Sequence, residues 1–210
     1  MGNATITPSI PIILASASKI RSKILQKTGM EFSVIISDID EDKLKEKMIK
    51  KSIPEMAIIL ASEKALNVSK TNPNSYVIGA DQICNLNNNI FSKPNTMDNA
   101  IEQLKKLSGK THKQTSGISL YFNSKLIWSD YEEAELTMYE IKEKEIIKYL
   151  KIDKPFNSCG SYKYESLGIN LFSKVTGNNE TIQGLPLIGL LSQLRKNKIY
   201  SIDNIRNAKK

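Results

Sequence analysis

Short apolar runs alternate along this chain with longer stretches in which apolar residues recur at helical spacing. Apolar runs bounded by turn residues predict strands, at residues 10–15, 32–36, 76–84, 118–122, 125–128 and 134–138. The helical spacing predicts helices, at about 19–27, at about 54–69, from Thr96 through Leu107, at 143–150 and around Leu187, Leu190, Leu191 and Leu194. Ser18 and Thr96 suit the starts of two of these helices, and Gly29 and Gly109 suit their ends.

Strands and helices therefore alternate, and the middle of the chain is rich in strands. Asn123-Ser124 stands between two strands and predicts a hairpin, while the acidic residues 38–42 predict a turn. This order predicts the α/β class, with a mixed sheet, flanking helices and two lobes. The 210 residues suit one domain, 1–210, with a basic tail at about 197–210.

The chain lacks the features of a secreted or membrane protein. The apolar run at 10–15 is short for a signal peptide, contains Pro11 and follows no basic region. No stretch approaches the roughly 20 apolar residues that span a bilayer. The two cysteines, Cys84 and Cys159, lack metal-ligand spacing and give no reason for an oxidising compartment. We therefore expect a cytoplasmic protein without a membrane partner.

The net charge of +8 suits an anionic ligand. Much of the positive charge lies near the C-terminus, in Arg195, Lys196, Lys198, Arg206, Lys209 and Lys210. A solvated tail and a nucleic-acid contact both fit this run. The tail carries no recognised binding motif and no interleaved aromatic residues, so nucleic-acid binding is the weaker interpretation.

The first candidate site lies where the strand at 10–15 passes into a helix, at Ser16-Ala17-Ser18-Lys19-Ile20-Arg21. The free N–H groups of a helix start, with two hydroxyls and two basic side chains, can bind phosphate. Capping by Ser18 alone is the alternative. Asp81 follows a second buried strand, where it can bind a metal or act as a general base, or simply cap the turn.

Two further segments carry weaker signals. Proline fixes the backbone at Lys93-Pro94 and can aim Lys93 inward, although an exposed lysine is the simpler interpretation. In the segment 160–165, Tyr162 or Tyr164 can stack on a base and Glu165 can accept its hydrogen bonds. A polar surface loop explains the same residues.

The single histidine narrows the choice of chemistry. Because His112 is the single histidine of the chain, a His-rich metal site is excluded. No GxSxG motif accompanies it, so the sequence does not favour a Ser-His-Asp triad. We expect His112 to be a structural or surface residue. Any metal must therefore be held by oxygen ligands, which suit Mg²⁺ or Mn²⁺.

Taken in order, these segments resemble the Maf family of nucleotide pyrophosphatases, from about Ile12 to Arg195. The matching segments read LASASKIR, SDIDED, ASEKA, VIGADQIC, SKP, LSGKTH and QGLPLIGLLSQL. The resemblance implies two lobes around a central cleft, as in inosine triphosphatases. It also implies hydrolysis of a nucleoside triphosphate to a monophosphate and pyrophosphate with a divalent metal, Mg²⁺ or Mn²⁺.

The resemblance also assigns roles to single residues. Asp81 would be catalytic, and Glu41 with Asp81 would hold the metal. The residues that would bind the triphosphate are Ser16, Ser18, Arg21, Lys64 and Lys93. Gln82 and Glu165 would read the base, and Ile20 in the first motif is counted with the substrate-binding residues.

The segment CGSYKYESLGINLF is similar to the branch of the family associated with 7-methyl-GTP. Gln82 stands where the branch acting on thymidine and uridine triphosphates usually has threonine. Glu165 can accept from both N1–H and the 2-amino group of guanine, and it would attract a cationic methylated base. Ile20 departs from both branches, which carry tryptophan or arginine there.

The resemblance implies 7-methyl-GTP as the substrate, house-cleaning of the nucleotide pool as the role, and a link with arrest of cell division. The alternatives are a dTTP/UTP pyrophosphatase of the same family, a related enzyme for deaminated purines, and a nucleic-acid-binding or division-regulating protein without catalysis. A homodimer is the expected assembly by base rate.

Overall fold

The computed structural model describes residues 5–48 and 50–206. The strands are β1 (Thr5–Ile6), β2 (Ile12–Ala15), β3 (Ser33–Val34), β4 (Tyr76–Leu86), β5 (Asn89–Phe91), β6 (Thr111–Phe122), β7 (Lys125–Met138), β8 (Phe172–Thr176) and β9 (Ile205–Arg206). The α-helices are α1 (Lys19–Gln26), α2 (Glu41–Glu46), α3 (Ile53–Ser69), α4 (Met97–Leu107), α5 (Glu143–Asp153), α6 (Asn179–Ile182) and α7 (Leu187–Lys196).

Seven of the strands form one mixed sheet. Six follow the order β3-β2-β4-β6-β7-β8, and β5 pairs with β4. Strand β2 is parallel to β3 and β4, whereas β5 is antiparallel to β4 and β8 is antiparallel to β7. The predicted α/β class with a mixed sheet is confirmed. Strands β1 and β9 form a separate antiparallel pair.

The chain forms two compact units. Among the described residues, the first consists of those within 1–81, 116–131 and 184–210, and the second of those within 82–115 and 132–183. In the first unit, alternate residues of β2 enter different clusters, because successive side chains of a strand point to opposite faces. Ile12 and Leu14 pack in one cluster, while Ile13 and Ala15 pack in another. A parallel strand buried on both faces explains the unbroken apolar run.

Helix α3 packs against the sheet of the first unit at very short range. A Cβ on Gly79 would lie 2.0 Å from the Ala61 carbonyl oxygen, and one on Gly117 would lie 2.3 Å from that of Ala57. The helix begins with a capping box, in which Ser52 and Glu55 exchange hydrogen bonds. These contacts fix the backbone of α3, which carries Lys64, beside β4.

The second unit has its own apolar cluster, built mainly from α4, α5 and the strand residues that face them. A buried polar group lies within it: the Tyr162 hydroxyl is 2.8 Å from His112 Nε2 and accepts from Gln114 Nε2 at 2.7 Å. His112 is therefore structural, as predicted. Tyr162 is only 4% exposed, so of the two tyrosines considered for stacking on a base, Tyr162 or Tyr164, the structure leaves Tyr164.

The sequence pattern misjudged several element bounds. The strand predicted at 32–36 is only β3, and residues 134–138 continue β7 instead of forming a new strand. The acidic residues 38–42 do not remain a turn, because Asp40 caps α2 and Glu41 begins it. Strands β5 and β8 and the short helix α6 were not predicted. The tail residues Lys209 and Lys210 lie outside the described residues. Among the described residues, no helix is long and apolar enough to cross a membrane.

Candidate active site

The junction of β2 and α1 forms a polar corner in the first unit. Ser18 is the N-cap of α1, and its hydroxyl oxygen accepts from the Arg21 backbone N–H. The Ser16 hydroxyl oxygen accepts from the Ser18 backbone N–H at 3.2 Å and from Arg21 Nη1 at 3.3 Å. In these contacts both serine oxygens are acceptors. As at the start of any α-helix, the N–H groups of the first turn of α1 point out of the helix end.

The Arg21 side chain is held by main-chain oxygens. Its Nε donates to the Gly184 carbonyl at 2.7 Å, and its Nη1 donates to the Ala80 carbonyl at 2.8 Å. Gly184 has φ of 93°, and a Cβ there would lie 3.0 Å from Arg21 Nε. Glycine at 184 therefore makes room for the guanidinium. The sequence motif predicted a phosphate ligand at Arg21, but it contained no signal for these backbone partners.

Three charged side chains meet beside that corner. Lys64 Nζ lies 2.9 Å from Glu41 Oε1, and it also donates a short hydrogen bond to Asp81 Oδ1. The side chains of Lys64 and Asp81 are 9% and 11% exposed, whereas that of Glu41 is 35% exposed. The structure thus brings together three residues that the sequence assigned to one site.

Local structure explains how Glu41 reaches this position. The Asp40 carboxylate accepts from the Lys43 backbone N–H and thereby starts α2 at Glu41. Two residues earlier, the Asp38 backbone N–H donates to Asn67 Oδ1 on α3 at 3.1 Å. Asp40 and Asn67 were not among the predicted site residues. An aspartate directly before two further acidic residues, Glu41 and Asp42, was the available signal for the cap.

The donor set around Lys64 Nζ suits a divalent cation. One carboxylate oxygen of Glu41 and one of Asp81 both contact the Lys64 ammonium nitrogen. Within residues 5–48 and 50–206, no group of three or more His, Cys, Asp or Glu side chains is arranged to hold a metal. A cation here would have two protein carboxylates as ligands and would take its remaining ligands from water and phosphate. This is the coordination that Mg²⁺ commonly has in proteins.

The other predicted site residues fall in two places. Ile20 is a half-buried residue of α1 that packs on a core cluster of the first unit. In the second unit, Gln82 donates from Nε2 to the carbonyl oxygens of Thr181 and Ile182, at 3.2 and 2.7 Å. Lys93, which precedes α4, and Glu165, which lies in a turn, are both exposed. Gln82 therefore holds α6 in addition to any contact with a base.

The chain matches the family model described as Maf-like protein over residues 11–197. A Legionella pneumophila (strain Paris) protein named nucleoside triphosphate pyrophosphatase is 41% identical over 192 residues, covering 91% of this chain and 96% of the relative. A Brucella abortus biovar 1 protein named 7-methyl-GTP pyrophosphatase is 40% identical over 194 residues, covering 90% of this chain and 98% of the relative.

Among solved structures, the Staphylococcus aureus Ham1 protein aligns with a TM-score of 0.41 and 14% identity, covering 89% of this chain and 98% of that protein. This likeness is too distant to bear on function.

Proposed function

The chain belongs to the Maf-like protein family, and on that premise we propose that it is a nucleoside triphosphate pyrophosphatase. The reaction is hydrolysis of a phosphoric anhydride, with a nucleoside monophosphate and pyrophosphate as products. The observation that carries the proposal is the meeting of Glu41, Lys64 and Asp81 beside the Ser16–Arg21 corner. We propose 7-methyl-GTP as the substrate and removal of modified nucleotides as the cellular role.

The corner offers donors to a triphosphate. Ser16 and Ser18 accept hydrogen bonds within the corner, so their own hydroxyl hydrogens can be donated to phosphate oxygens. The N–H groups at the start of α1 add partial positive charge. Arg21 retains Nη2 for a phosphate while its Nε and Nη1 bind carbonyl oxygens. Lys64 and Lys93 are the further cations that we assign to the substrate.

Mg²⁺ or Mn²⁺ is the cofactor that we propose, held by Glu41 and Asp81. The support is the convergence of their carboxylate oxygens and the all-oxygen character of the donor set. When bound, the ion would neutralise phosphate charge and make the α-phosphorus more electrophilic.

Asp81 is the residue that we propose as general base. Its carboxylate would take a proton from the attacking water as the water oxygen bonds to the α-phosphorus. The bond from that phosphorus to the bridging oxygen breaks, and the electron pair leaves with pyrophosphate. Lys64 would stabilise the charge on the phosphates, so much of the rate enhancement would come from positioning and electrostatics.

Glu165 is the residue that we assign to the base. Its exposed carboxylate is free to accept from the N1–H and 2-amino groups of a guanine, and a 7-methyl group makes that base cationic. The name of the Brucella relative supports the same substrate. Gln82 would contact a base through Oε1, since both hydrogens of its amide go to carbonyl oxygens. Ile20, without an aromatic face or a charge, would contribute apolar contact alone.

The test is a substrate panel with identification of both products. The purified protein is incubated with Mg²⁺ or Mn²⁺ and with 7-methyl-GTP, GTP, dTTP, UTP, CTP, ITP and XTP. Monophosphate and pyrophosphate, formed fastest from 7-methyl-GTP, would support both the chemistry and the substrate. A preference for dTTP or UTP would retain the chemistry and overturn the assigned specificity. No turnover of any nucleotide by folded, metal-supplied protein would overturn the proposed function.

A further inference from the structure

The Lys64 ammonium occupies the point on which the two acidic side chains converge. It contacts Glu41 Oε1 at 2.9 Å and hydrogen-bonds Asp81 Oδ1. These are the two residues to which the proposed function assigns the metal. The position of the lysine therefore bears directly on how a metal can enter.

Charge explains why the lysine lies there. Two carboxylates close together, with the Asp81 side chain only 11% exposed, would repel each other and lose hydration. The ammonium between them leaves a formal charge of −1 on these three groups, against −2 for the carboxylates alone, and Lys45 Nζ lies 3.9 Å from Glu41 Oε2 on the other side. Removing one partner from a buried ion pair is strongly destabilising, because the other charge is left unpaired. The group is therefore satisfied without a metal.

The ammonium and a divalent cation compete for the same oxygens. A divalent cation held by Glu41 and Asp81 would take the same carboxylate oxygens that the Lys64 ammonium contacts. Two positive ions sharing these oxygens would also repel each other. A metal that binds through Glu41 Oε1 and Asp81 Oδ1 must displace the lysine.

We infer that Lys64 is the resident counter-ion of Glu41 and Asp81 and that it moves onto the triphosphate when the metal binds, so that metal and nucleotide bind together. The inference rests on the proposed function, because it needs a triphosphate to receive the ammonium. Without the triphosphate, the metal has to move a poorly exposed lysine away from these oxygens with no phosphate to receive it. With it, the lysine exchanges one anionic partner for another.

The fold confines this exchange to the side chain. The backbone of α3 is fixed against the sheet through Gly79 and Gly117, where no Cβ would fit. Lysine has a flexible four-carbon stem and a compact charge, so its ammonium can change partners without movement of the helix. Coupling between two ligands through such a group is typically 5-fold to 150-fold in affinity.

Manganese affinity in the absence of nucleotide tests the inference. We would titrate Mn²⁺ alone into the wild type, Lys64→Met and Lys51→Met, and follow free Mn²⁺ by electron paramagnetic resonance. Lys51→Met is the matched control, because Lys51 forms an exposed ion pair with Glu55 at the start of the same helix. We expect Lys64→Met to bind Mn²⁺ at least about tenfold more tightly than the wild type and the control. Equal or weaker binding by folded Lys64→Met would overturn the inference.

The wild type provides a second test that does not depend on a variant. The ¹⁵N resonance of the Lys64 ammonium is followed as Mg²⁺ is added alone and then with a saturating amount of the α,β-methylene analogue of the nucleotide that the substrate panel shows to be preferred, since the corresponding bond of the analogue is not hydrolysed. We expect little change with Mg²⁺ alone and a large shift with both. A full shift with Mg²⁺ alone, or none with both, would overturn the inference. Turnover of the substrate panel by the wild type decides the proposed function separately.

Discussion

Arg21 Nη1 donates a 2.8 Å hydrogen bond to the carbonyl oxygen of Ala80, the residue that immediately precedes Asp81. The same guanidinium donates from Nε to the carbonyl of Gly184. Arg21 thus joins the start of α1 to the segment that carries the proposed base and to the segment before α7. Its contacts in the structure are those of a residue that positions Asp81, in addition to the phosphate contact that we propose for Nη2.

Arg21→Lys tests this positioning role. An ammonium cannot reproduce the planar fork that reaches two carbonyls and Ser16. We expect a fall in kcat together with a loss of about 1–3 kcal/mol in the free energy of unfolding, since part-buried acceptors lose their donors. Steady-state kinetics and urea unfolding measure the two effects, with the exposed Arg195→Lys as control. A rise in KM alone, at unchanged stability, would indicate that Arg21 acts only on phosphate.

Asp81→Asn keeps the size of the side chain and replaces its carboxylate by an amide. An amide cannot take a proton from water and is a poor metal ligand, so we expect kcat to fall by at least about 10²-fold to 10⁴-fold. The expected loss is measured with the preferred nucleotide of the panel, and circular dichroism checks the fold. Asp130→Asn changes an exposed aspartate of the same unit and should leave kcat unchanged. Near-normal turnover by Asp81→Asn would exclude Asp81 as the base.

Glu165→Gln tests the assignment of the base. Losing the carboxylate removes the charge-assisted hydrogen bonds and the attraction for a cationic base, and such bonds contribute about 1.5–3 kcal/mol. We expect the ratio of kcat/KM for 7-methyl-GTP over GTP to fall about tenfold or more, with kcat largely retained. Glu140→Gln, an exposed change in the same unit, is the control. An unchanged substrate profile would rule out Glu165 as the reader of the base.

Local signals predicted much of the fold. Ser18 and Thr96 are the N-caps of α1 and α4, and the Asn123-Ser124 turn joins β6 to β7, as the sequence indicated. The continuity of β7 was missed because its middle is polar. Those polar residues are satisfied by partners far away in the chain: Glu133 accepts from Thr115 and Lys113. No local pattern reveals such pairs.

In the candidate site too, the sequence indicated which residues matter but not which partners they contact. Residue types and motif order singled out Glu41, Lys64 and Asp81, and the structure brings the three together. The motif did not indicate that Lys64 binds both carboxylates, because this depends on where α3 packs. It also did not indicate that Gln82 donates to carbonyls of α6, since a backbone oxygen is present at every residue and carries no sequence signal.

His112 makes stability depend on pH. Burial lowers the pKa of His112 from its ordinary value of 6.5 to about 4. Between these values the unfolded chain binds a proton that the folded chain does not, so stability falls as pH falls from 6.5 towards 4. The contribution lost approaches about 3 kcal/mol, from 1.36 kcal/mol per pKa unit.

His112→Gln removes this titration and keeps a donor for the Tyr162 hydroxyl. Urea unfolding of both proteins from about pH 7 to about pH 4.5 compares the two slopes. We expect the wild type to lose more stability than the variant across that window, whatever their difference at neutral pH. Parallel slopes would show that His112 titrates normally.

Gly184→Ala and Gly109→Ala separate two effects of replacing a glycine: backbone strain at positive φ, and contact of the new Cβ with its neighbours. Both residues have positive φ, 93° and 70° respectively, so alanine at either position is strained by about 1–2 kcal/mol. They differ in the space around a Cβ: at Gly109 it would meet nothing nearer than 3.9 Å, but at Gly184 it would lie 3.0 Å from two nitrogens of Arg21. Only the second substitution should push the guanidinium away from its carbonyl partners.

We therefore expect Gly109→Ala to lower stability modestly and leave kcat unchanged, while Gly184→Ala lowers both. The kcat loss in Gly184→Ala should resemble that of Arg21→Lys, and combining the two substitutions should add little, because both break the same contacts. Chemical unfolding and single-substrate kinetics on the two single variants and the double variant measure this. Fully additive losses in kcat would mean that Gly184 affects catalysis by a route other than Arg21, and the positioning role of that arginine would then rest on Ala80 alone.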